Sequence, residues 1–254
     1  MMEDKPIEFF KVILAGRKIE IECHYRVVFY QCRDYLANFD QPDFVVRASL
    51  KEIFAERKEI PEMQNHDPGV AVSYADEFAE SGVIYRRIAE KMLDYDTLLM
   101  HGSVVATDHY AYMFTAASGV GKSTRTKIWM DVYPGSFVVN GDKPLIRMED
   151  NKAIAYGTPW CGGEGWNTNI GVPLRAIFLL ERANEGERST IEEITLGKAF
   201  PELFRQTNSP TNAEALHKTV DLLKALAGKV KLYKFRSTPT PEAVRLAYET
   251  ARPR

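Results

Sequence analysis

The spacing of hydrophobic positions divides the chain into two parts. In the first part, residues 7–21 alternate in two short runs and predict a hairpin, and residues 43–50 predict another strand. Residues 81–93 carry apolar side chains at helical spacing and predict an amphipathic helix. Residues 59–69 combine proline, glycine and charge, which is typical of a surface loop. We therefore expect residues 1–95 to form a small α+β region, open to a role in recognising a substrate or partner.

Residues 96–254 alternate buried-type strands with helices and glycine-rich turns. This interleaving predicts an α/β (α+β) fold, with one strand over 97–106 and a second after a turn at Asp108-His109. A helix is expected to follow Lys122 and to end near Pro134-Gly135. The other predicted elements are a strand at 136–142, a hairpin across 144–157, a strand at 175–183, a helix at 213–227 between Asn212 and Gly228, a strand at 229–235, and a last helix capped by Thr240.

A nine-residue stretch between a predicted strand and a predicted helix carries the clearest chemistry. Residues 116–124 read AASGVGKST and match the phosphate-binding pattern G-x-x-x-x-G-K-[ST] except at Ala116. Gly119 and Gly121 let the backbone curl, so that successive N–H groups can point at phosphate oxygens. We call residues 116–124 the phosphate loop. Because Ala116 stands at the strand exit, its methyl group is harmful only if the backbone needs a positive φ there.

The phosphate loop predicts ATP and Mg²⁺ as cofactors. Lys122 would place its ammonium on the outer phosphates, and the Ser123 hydroxyl would bind Mg²⁺. The alternative is a glycine-rich turn without a nucleotide, but the strand before the loop and the helix after it favour the nucleotide site. The predicted nucleotide-binding residues are Ser118, Gly119, Val120, Gly121, Lys122, Ser123 and Thr124.

Three further residues are candidates for the same chemistry. Asp142 ends the next predicted strand and would bind Mg²⁺ or accept a proton from an attacking hydroxyl; otherwise it is a turn residue. His101 belongs to the predicted strand before the one that leads into the loop. Its ring would either contact a phosphate or a nucleophile, or be buried in the core with its hydrogen bonds satisfied. Glu164 lies in a glycine- and tryptophan-rich loop at residues 158–169, the glycine–tryptophan loop, which would either cover a substrate or only close the core. The predicted catalytic set is Asp142, His101 and Lys122.

Composition narrows the class of protein. The 254-residue chain has a formal net charge of -2, which does not support nucleic-acid binding. The N-terminus lacks the features of a signal peptide, and no apolar run approaches the roughly 20 residues of a membrane span. Cys23, Cys32 and Cys161 show no metal-binding spacing and predict reduced thiols. We therefore expect a cytoplasmic protein with no nucleic-acid or membrane partner.

The order HGSVVA, strand, AASGVGKST, helix and VVNGD resembles the catalytic domain of HPr kinase/phosphorylase over roughly residues 95–182, and more weakly to about residue 250. The resemblance implies a mixed-sheet P-loop core of the HPr kinase and phosphoenolpyruvate carboxykinase type, and a homo-oligomer. His101 matches the family's active-site histidine in its spacing from Lys122. The family ends the next strand with two aspartates, whereas here the pair is Gly141-Asp142. No match to the motif for the reverse reaction is visible, so only the kinase half is expected.

The leading hypothesis is an ATP- and Mg²⁺-dependent kinase that phosphorylates a hydroxyl on a protein, a peptide or a small molecule. The alternative, which Gly141 and Ala116 motivate, is a nucleotide-binding sensor or interaction module with little or no catalysis. A third hypothesis is a carboxykinase acting on oxaloacetate, for which the chain is short and lacks a clear set of substrate-binding arginines.

Overall fold

The structure, a computed structural model, describes residues 8–59, 71–184 and 186–253. The chain divides into two compact units, Met1–Lys91 and Met92–Arg254. The predicted loop at 59–69 lies outside the described residues apart from Glu59, which ends a helix.

The first unit contains a three-stranded sheet. Strand β1 (Glu8–Leu14) is antiparallel to β2 (Arg17–Cys23), and β2 is parallel to β3 (Phe44–Arg47). The turn between β1 and β2 is tight because Ala15 and Gly16 both have positive φ values, 45° and 74°. The helices of this unit are α1 (Arg26–Gln31), α2 (Leu50–Glu59) and α3 (Ala71–Met92).

Helix α3 begins earlier than the predicted start at Ser81, and its extra turns include Glu80. Glu80 is fully buried and accepts hydrogen bonds from the backbone N–H groups of His24 and Tyr25, at 2.7 and 2.8 Å. Burial nevertheless raises the pKa of Glu80. Because two backbone donors satisfy this carboxylate, a charged residue can face the core, which a hydrophobic pattern cannot indicate.

The second unit is built on one large mixed sheet. Its strands follow the order β4-β8-β9-β10-β6-β5-β7, with β12 beside β10 and β11 beside β12. The strands are β4 (Thr97–Leu99), β5 (Ser103–Thr107), β6 (Tyr110–Thr115), β7 (Phe137–Asn140), β8 (Leu145–Glu149), β9 (Lys152–Tyr156), β10 (Gly171–Arg182), β11 (Thr190–Glu193) and β12 (Lys231–Ser237). The helices are α4 (Lys122–Val132), α5 (Leu196–Arg205), α6 (Ala213–Ala227) and α7 (Pro241–Ala251).

Strand β10 organises this sheet. Its first residues pair antiparallel with β9, and the rest of the strand pairs parallel with β6 on one side and β12 on the other. Helices α5 and α6 pack against one face of the sheet through an aliphatic cluster, and α4 and α7 pack against the other face through an aromatic cluster around Trp129. The mixed α/β architecture confirms the predicted fold class.

One strand prediction is wrong in a way that matters for the site. The predicted strand at 97–106 is interrupted, so His101 lies in the link between β4 and β5 and not within a strand. The His101 N–H donates to the carbonyl of Gln206 at 2.6 Å, which takes it out of the sheet ladder. A Cβ on Gly102 would lie 2.9 Å from the carbonyl oxygen of Phe114, so the chain passes close to β6 at this break.

The N-caps of the last two helices follow the sequence prediction. Asn212 accepts the Ala215 N–H at the start of α6, and Thr240 accepts the Ala243 N–H at the start of α7. Strand β11 and helix α5 were not predicted; α5 contains Pro201, a residue that usually disfavours helix interiors. None of the described helices combines the length and apolar character that a bilayer crossing requires. The three cysteines are free and buried.

Candidate active site

Three segments that carry predicted site residues meet at one edge of the large sheet. Strand β5 is antiparallel to β6 and therefore begins at the edge where β6 ends. Strand β7 is antiparallel to β5 and therefore ends there. The phosphate loop follows β6, His101 precedes β5, and Asp142 follows β7. The topology thus brings together residues that lie up to 41 positions apart in the chain.

The phosphate loop adopts a curled conformation that depends on its glycines. Gly119 and Gly121 have φ values of 79° and 100°, a region that other residues rarely adopt. Ala116 does not have a positive φ, and its side chain is buried in the aromatic cluster. The loop therefore accommodates alanine at the first position of the motif without backbone strain.

The end of the loop presents backbone donors that have no protein partner. In the described part of the chain, the N–H groups of Gly119, Gly121, Lys122 and Ser123 donate no hydrogen bond. Gly121 is the N-cap of α4 and offers no side-chain acceptor to the first turn. Free N–H groups and the positive end of a helix together form an arrangement that favours phosphate oxygens.

Lys122 is folded back over the loop. Its Nζ donates to the carbonyl oxygens of Ala116 and Ala117, at 3.0 and 3.3 Å, and the residue is only 8% exposed. Burial lowers the pKa of Lys122, although the nearby charge of Asp142 opposes that shift. A buried ammonium held by two neutral carbonyls gains charge–charge energy if phosphate oxygens replace them. Among the other predicted loop residues, Ser118 and Thr124 are exposed.

His101 and Asp142 form a direct pair. His101 Nε2 lies 3.1 Å from Asp142 Oδ1. The Gly102 N–H donates to the Asp142 carbonyl at 2.8 Å, and the Thr115 hydroxyl donates to the His101 carbonyl at 2.8 Å. Backbone and side-chain contacts therefore fix both residues to each other and to the end of β6, directly before the phosphate loop.

Gln206 sets the orientation of the His101 ring. Its Nε2 donates to Glu202 Oε1 at 2.8 Å, so its Oε1 is the atom that faces His101 Nδ1, at 2.7 Å. In this arrangement Nδ1 is the ring nitrogen that faces the Gln206 carbonyl oxygen, and Nε2 is the ring nitrogen that faces Asp142. The contact of Gln206 with His101 was not predicted, because Gln206 lies more than 100 positions from His101, at the end of an unpredicted helix.

The carboxylate of Asp142 is stabilised in its charged form. Partial burial opposes ionisation, but the hydrogen bond from His101 and the positive charges of Lys143, His101 and Lys122 outweigh it, so the pKa of Asp142 is lowered. Oδ1 faces His101, while Oδ2 lies 3.8 Å from Lys143 Nζ. The charges of Asp142 and Lys122 each favour the charged form of the other side chain, because the two lie near each other.

A buried asparagine shapes the turn that presents Asp142. Asn140 is fully buried, and its Oδ1 accepts the N–H groups of Asp142 and Lys143, at 2.9 and 2.7 Å. Its Nδ2 donates to the carbonyl and hydroxyl oxygens of Thr158, at 3.0 and 3.1 Å. This side chain forms the turn between β7 and β8 and ties it to the glycine–tryptophan loop. The sequence offered one indication of its role, the position directly before Gly141-Asp142.

The backbone around Gly141 leaves no room for a side chain. A Cβ at this position would lie 2.5 Å from the carbonyl oxygen of Cys161, and the Gly141 N–H donates to the carbonyl of Trp166 at 2.8 Å. The glycine–tryptophan loop is packed directly over it. A second acid at this position, as in the resembled family, is therefore incompatible with this backbone, and the site has one carboxylate at the end of β7.

We expect Gly141→Asp to lower the free energy of unfolding by about 1–3 kcal/mol, the usual cost of overpacking. Burial of the new charge should lower it by at least about 1 kcal/mol more. Urea denaturation of the variant and of Gly163→Asp measures the difference. Gly163 lies in the adjacent loop with open space around its Cβ position, and its φ is not positive, so its variant should unfold like the wild type. Equal stability of the two variants would show that the turn opens freely.

Glu164 lies close to Asp142. Its Oε2 and the Cγ of Asp142 are 3.5 and 3.9 Å from the same point, the position that a Cβ of Gly162 would occupy. Glu164 is exposed, whereas Trp160 and Cys161 in the same loop are buried. The loop thus packs one end into the unit and leaves its carboxylate at the surface beside the His101–Asp142 pair.

A cavity of about 650 Å³ adjoins the phosphate loop. Ala116, Ala117 and Val120 form one wall, and helix α5 forms another. Glu202, which orients Gln206, is also part of the helix wall, so hydrogen bonds connect the cavity with His101. The remaining lining residues are Leu179, Leu180, Glu181, Glu192, Ile194, Lys198, Pro201, Arg205 and Lys234.

The residues at the loop fit a Mg²⁺ ion that takes only some of its ligands from the protein and the others from phosphate and water oxygens. No group of three or more His, Cys, Asp or Glu side chains in the described ranges could hold a metal without a ligand. Mg²⁺ at phosphate sites commonly takes only one or two protein ligands. Ser123 offers a hydroxyl, and Asp142 offers the carboxylate oxygen that His101 leaves open.

No family model matches the chain, and no curated protein matches it. Among solved structures, the chain is similar to the HPr(Ser) kinase/phosphatase from Coxiella burnetii, with 14% sequence identity and a TM-score of 0.36. The match covers 59% of this chain and 86% of that one. A likeness at this level carries no functional argument, so the function proposed below rests on the geometry of the site.

Proposed function

We propose that this protein is an ATP- and Mg²⁺-dependent kinase that transfers the γ-phosphoryl group to a hydroxyl. The acceptor is a serine of a protein or peptide, or a small hydroxyl compound. The observation that carries this proposal is the convergence of a curled loop with unpaired N–H groups, a buried lysine and a His101–Asp142 pair at one sheet edge.

The loop residues have distinct roles in holding the nucleotide. The N–H groups of residues 119–123 bind the β- and γ-phosphate oxygens, and Ser118 and Thr124 flank them. Lys122 exchanges the carbonyls of Ala116 and Ala117 for phosphate oxygens. Ser123 and Asp142 would hold Mg²⁺, which would neutralise phosphate charge. The cavity beside the loop is large enough for the rest of the nucleotide or for the acceptor.

Asp142 and His101 act on the acceptor. The acceptor oxygen forms a bond to the γ-phosphorus, the bond from the γ-phosphorus to the bridging oxygen breaks, and ADP leaves. The hydroxyl proton passes to the carboxylate of Asp142, which His101 holds in place. Glu164 binds the acceptor, a role that its exposure and its proximity to Asp142 support. Most of the rate enhancement comes from positioning and charge neutralisation.

The first unit is separate from these residues in the chain, and we propose that it recognises the acceptor or a partner. Its deletion would then remove activity toward the natural acceptor while leaving ATP binding by the second unit intact.

The proposal is tested by incubating the protein with γ-labelled ATP, Mg²⁺ and a library of serine-containing peptides and small hydroxyl compounds. Label is expected in at least one acceptor with the wild type and in none with Lys122→Ala. If wild-type protein binds ATP tightly but labels no acceptor, including whole-proteome extracts, the alternative of a nucleotide-binding sensor is correct. The single carboxylate at the end of β7 is the observation that favours this alternative.

A further inference from the structure

Beneath the phosphate loop lies a buried arginine. Arg125, in the first turn of α4, is completely buried. Its Nη1 donates to the carbonyl oxygens of Val120 and Gly121, both at 3.1 Å. Its Nε donates to the hydroxyl of Ser237 at 3.1 Å, and Nη2 reaches the same residue. One side chain therefore joins two successive loop peptides to the end of β12.

The Arg125 charge has no counter-ion among the residues that the structure describes. Its hydrogen-bond acceptors are carbonyls and one hydroxyl, and no carboxylate of the described residues pairs with it. Burial lowers the pKa of Arg125 to about 10, with a smaller contribution from the charge of Arg182, so the group remains a cation at neutral pH. A buried cation without a carboxylate is costly and is normally paired. The missing negative charge is therefore expected from a ligand.

The direction of the loop peptides follows from these contacts. In a trans peptide, the C=O and the N–H point in opposite directions, and the described residues contain no cis bond. Holding the carbonyls of Val120 and Gly121 toward Arg125 turns the N–H groups of Gly121 and Lys122 away from it. These are the N–H groups that have no protein partner. Arg182 acts similarly from the outside, since its Nη2 donates to the carbonyl of Gly119 at 2.9 Å.

Gly121 makes the approach of Arg125 feasible. A Cβ at Gly121 would lie 2.8 Å from Arg125 Nη1. The absence of a side chain there thus serves two purposes, a positive φ and the close approach of the guanidinium. The Arg125 cation thus lies on the carbonyl side of the loop, against Val120 and Gly121. The unpaired N–H groups lie on the other side.

We propose that Arg125 is a positioning residue for polyphosphate binding: it fixes the loop peptides with their N–H groups toward the ligand, and it supplies a buried positive charge that the bound polyphosphate compensates. The inference rests on the proposed function in one respect, the binding of a polyphosphate in the loop. It requires neither an acceptor nor phosphoryl transfer.

The test is the affinity for inorganic tripolyphosphate, measured by titration calorimetry without Mg²⁺. Arg125→Met, which removes both the charge and the hydrogen bonds, is expected to weaken binding at least about tenfold, as for the loss of charged hydrogen bonds. Arg125→Lys keeps the charge but loses the planar guanidinium group with its several N–H donors. Its affinity for tripolyphosphate should lie between those of Arg125→Met and the wild type. In a kinase assay, the same variants should raise KM for ATP more than they lower kcat.

The matched control is Arg175→Met. Arg175 is a half-buried arginine of the same unit that also donates to a carbonyl, that of Ala251 at 3.1 Å, but it does not contact the loop. Its variant should bind tripolyphosphate like the wild type. Thermal unfolding of each variant separates loss of fold from loss of binding.

Ser237→Ala provides a second test of the role of Arg125 if the Arg125→Met variant does not fold. It removes only the hydroxyl that Nε and Nη2 share, and it should weaken tripolyphosphate binding with little change in thermal stability. If folded Arg125→Met or Ser237→Ala protein bound tripolyphosphate with wild-type affinity, the role of Arg125 would be overturned, but not the proposed function. Wild-type protein that binds no tripolyphosphate would overturn the proposed function as well.

Discussion

Asp142→Asn is expected to reduce phosphoryl transfer by about 10²- to 10⁴-fold, the usual contribution of a positioned proton acceptor. The amide keeps the shape of the side chain but cannot accept the hydroxyl proton, and it pairs less strongly with His101. Affinity for ATP in the absence of Mg²⁺ should be unchanged or higher, because the variant removes a negative charge that repels the triphosphate. Initial rates with γ-labelled ATP, together with calorimetric titration, measure the two quantities separately.

Asp131→Asn is the matched control for this prediction. Asp131 is exposed on α4, and the same loss of charge there leaves the site intact. Its variant should transfer phosphate at the wild-type rate. If Asp142→Asn retained wild-type turnover, Asp142 would not be the proton acceptor.

Lys122→Ala is expected to lower the affinity for ATP by about 10- to 100-fold, the range for hydrogen bonds to charged groups of about 1.5–3 kcal/mol. The variant should fold normally or be slightly more stable, since a buried, partly desolvated ammonium is removed. Calorimetric titration with ATP and thermal unfolding without ATP test the two parts of this prediction.

Lys127→Ala provides the comparison, because Lys127 is an exposed lysine on the same helix. Loss of its charge should leave ATP affinity nearly unchanged. Equal affinities of Lys122→Ala and the wild type would exclude the loop as the triphosphate site, whatever the protein does with its other residues.

The phosphate loop was predictable from sequence because its determinants are local. Two glycines at positive φ, a lysine at the start of a helix and a preceding buried strand all lie within about a dozen consecutive residues. The structure also answers the question that Ala116 raised, since its backbone does not need a glycine conformation. Local conformational rules were sufficient for this part of the site.

The surroundings of Asp142 were not predictable in the same way. Gln206 reaches His101 from an unpredicted helix, and Gly141 is required by the approach of a distant loop at Cys161. The link that carries His101 leaves the strand because its N–H bonds to Gln206. Each feature depends on contacts between segments far apart in the chain, which residue spacing does not encode. The same holds for buried Asn140, whose side chain joins its own turn to Thr158, 18 positions away in the chain.

Gly141 changes how the chemistry is divided. In the resembled kinases the strand ends in two acids, whereas here the packing of Cys161 over Gly141 permits one. Under the proposed function, Asp142 therefore serves both Mg²⁺ and the acceptor proton, while His101 holds one of its oxygens and leaves the other open. Because one carboxylate then performs two tasks, we expect slow turnover.

In the proposed function, the loop and the His101–Asp142 pair act on the same triphosphate. A crystal structure with Mg²⁺ and a non-hydrolysable ATP analogue tests this. We expect the β-phosphate on the N–H groups of Gly121 and Lys122, Lys122 Nζ moved from the Ala116 carbonyl to the γ-phosphate, and Asp142 beside the metal or the γ-phosphate. A triphosphate bound away from the loop, or a γ-phosphate that points away from Asp142, would contradict it.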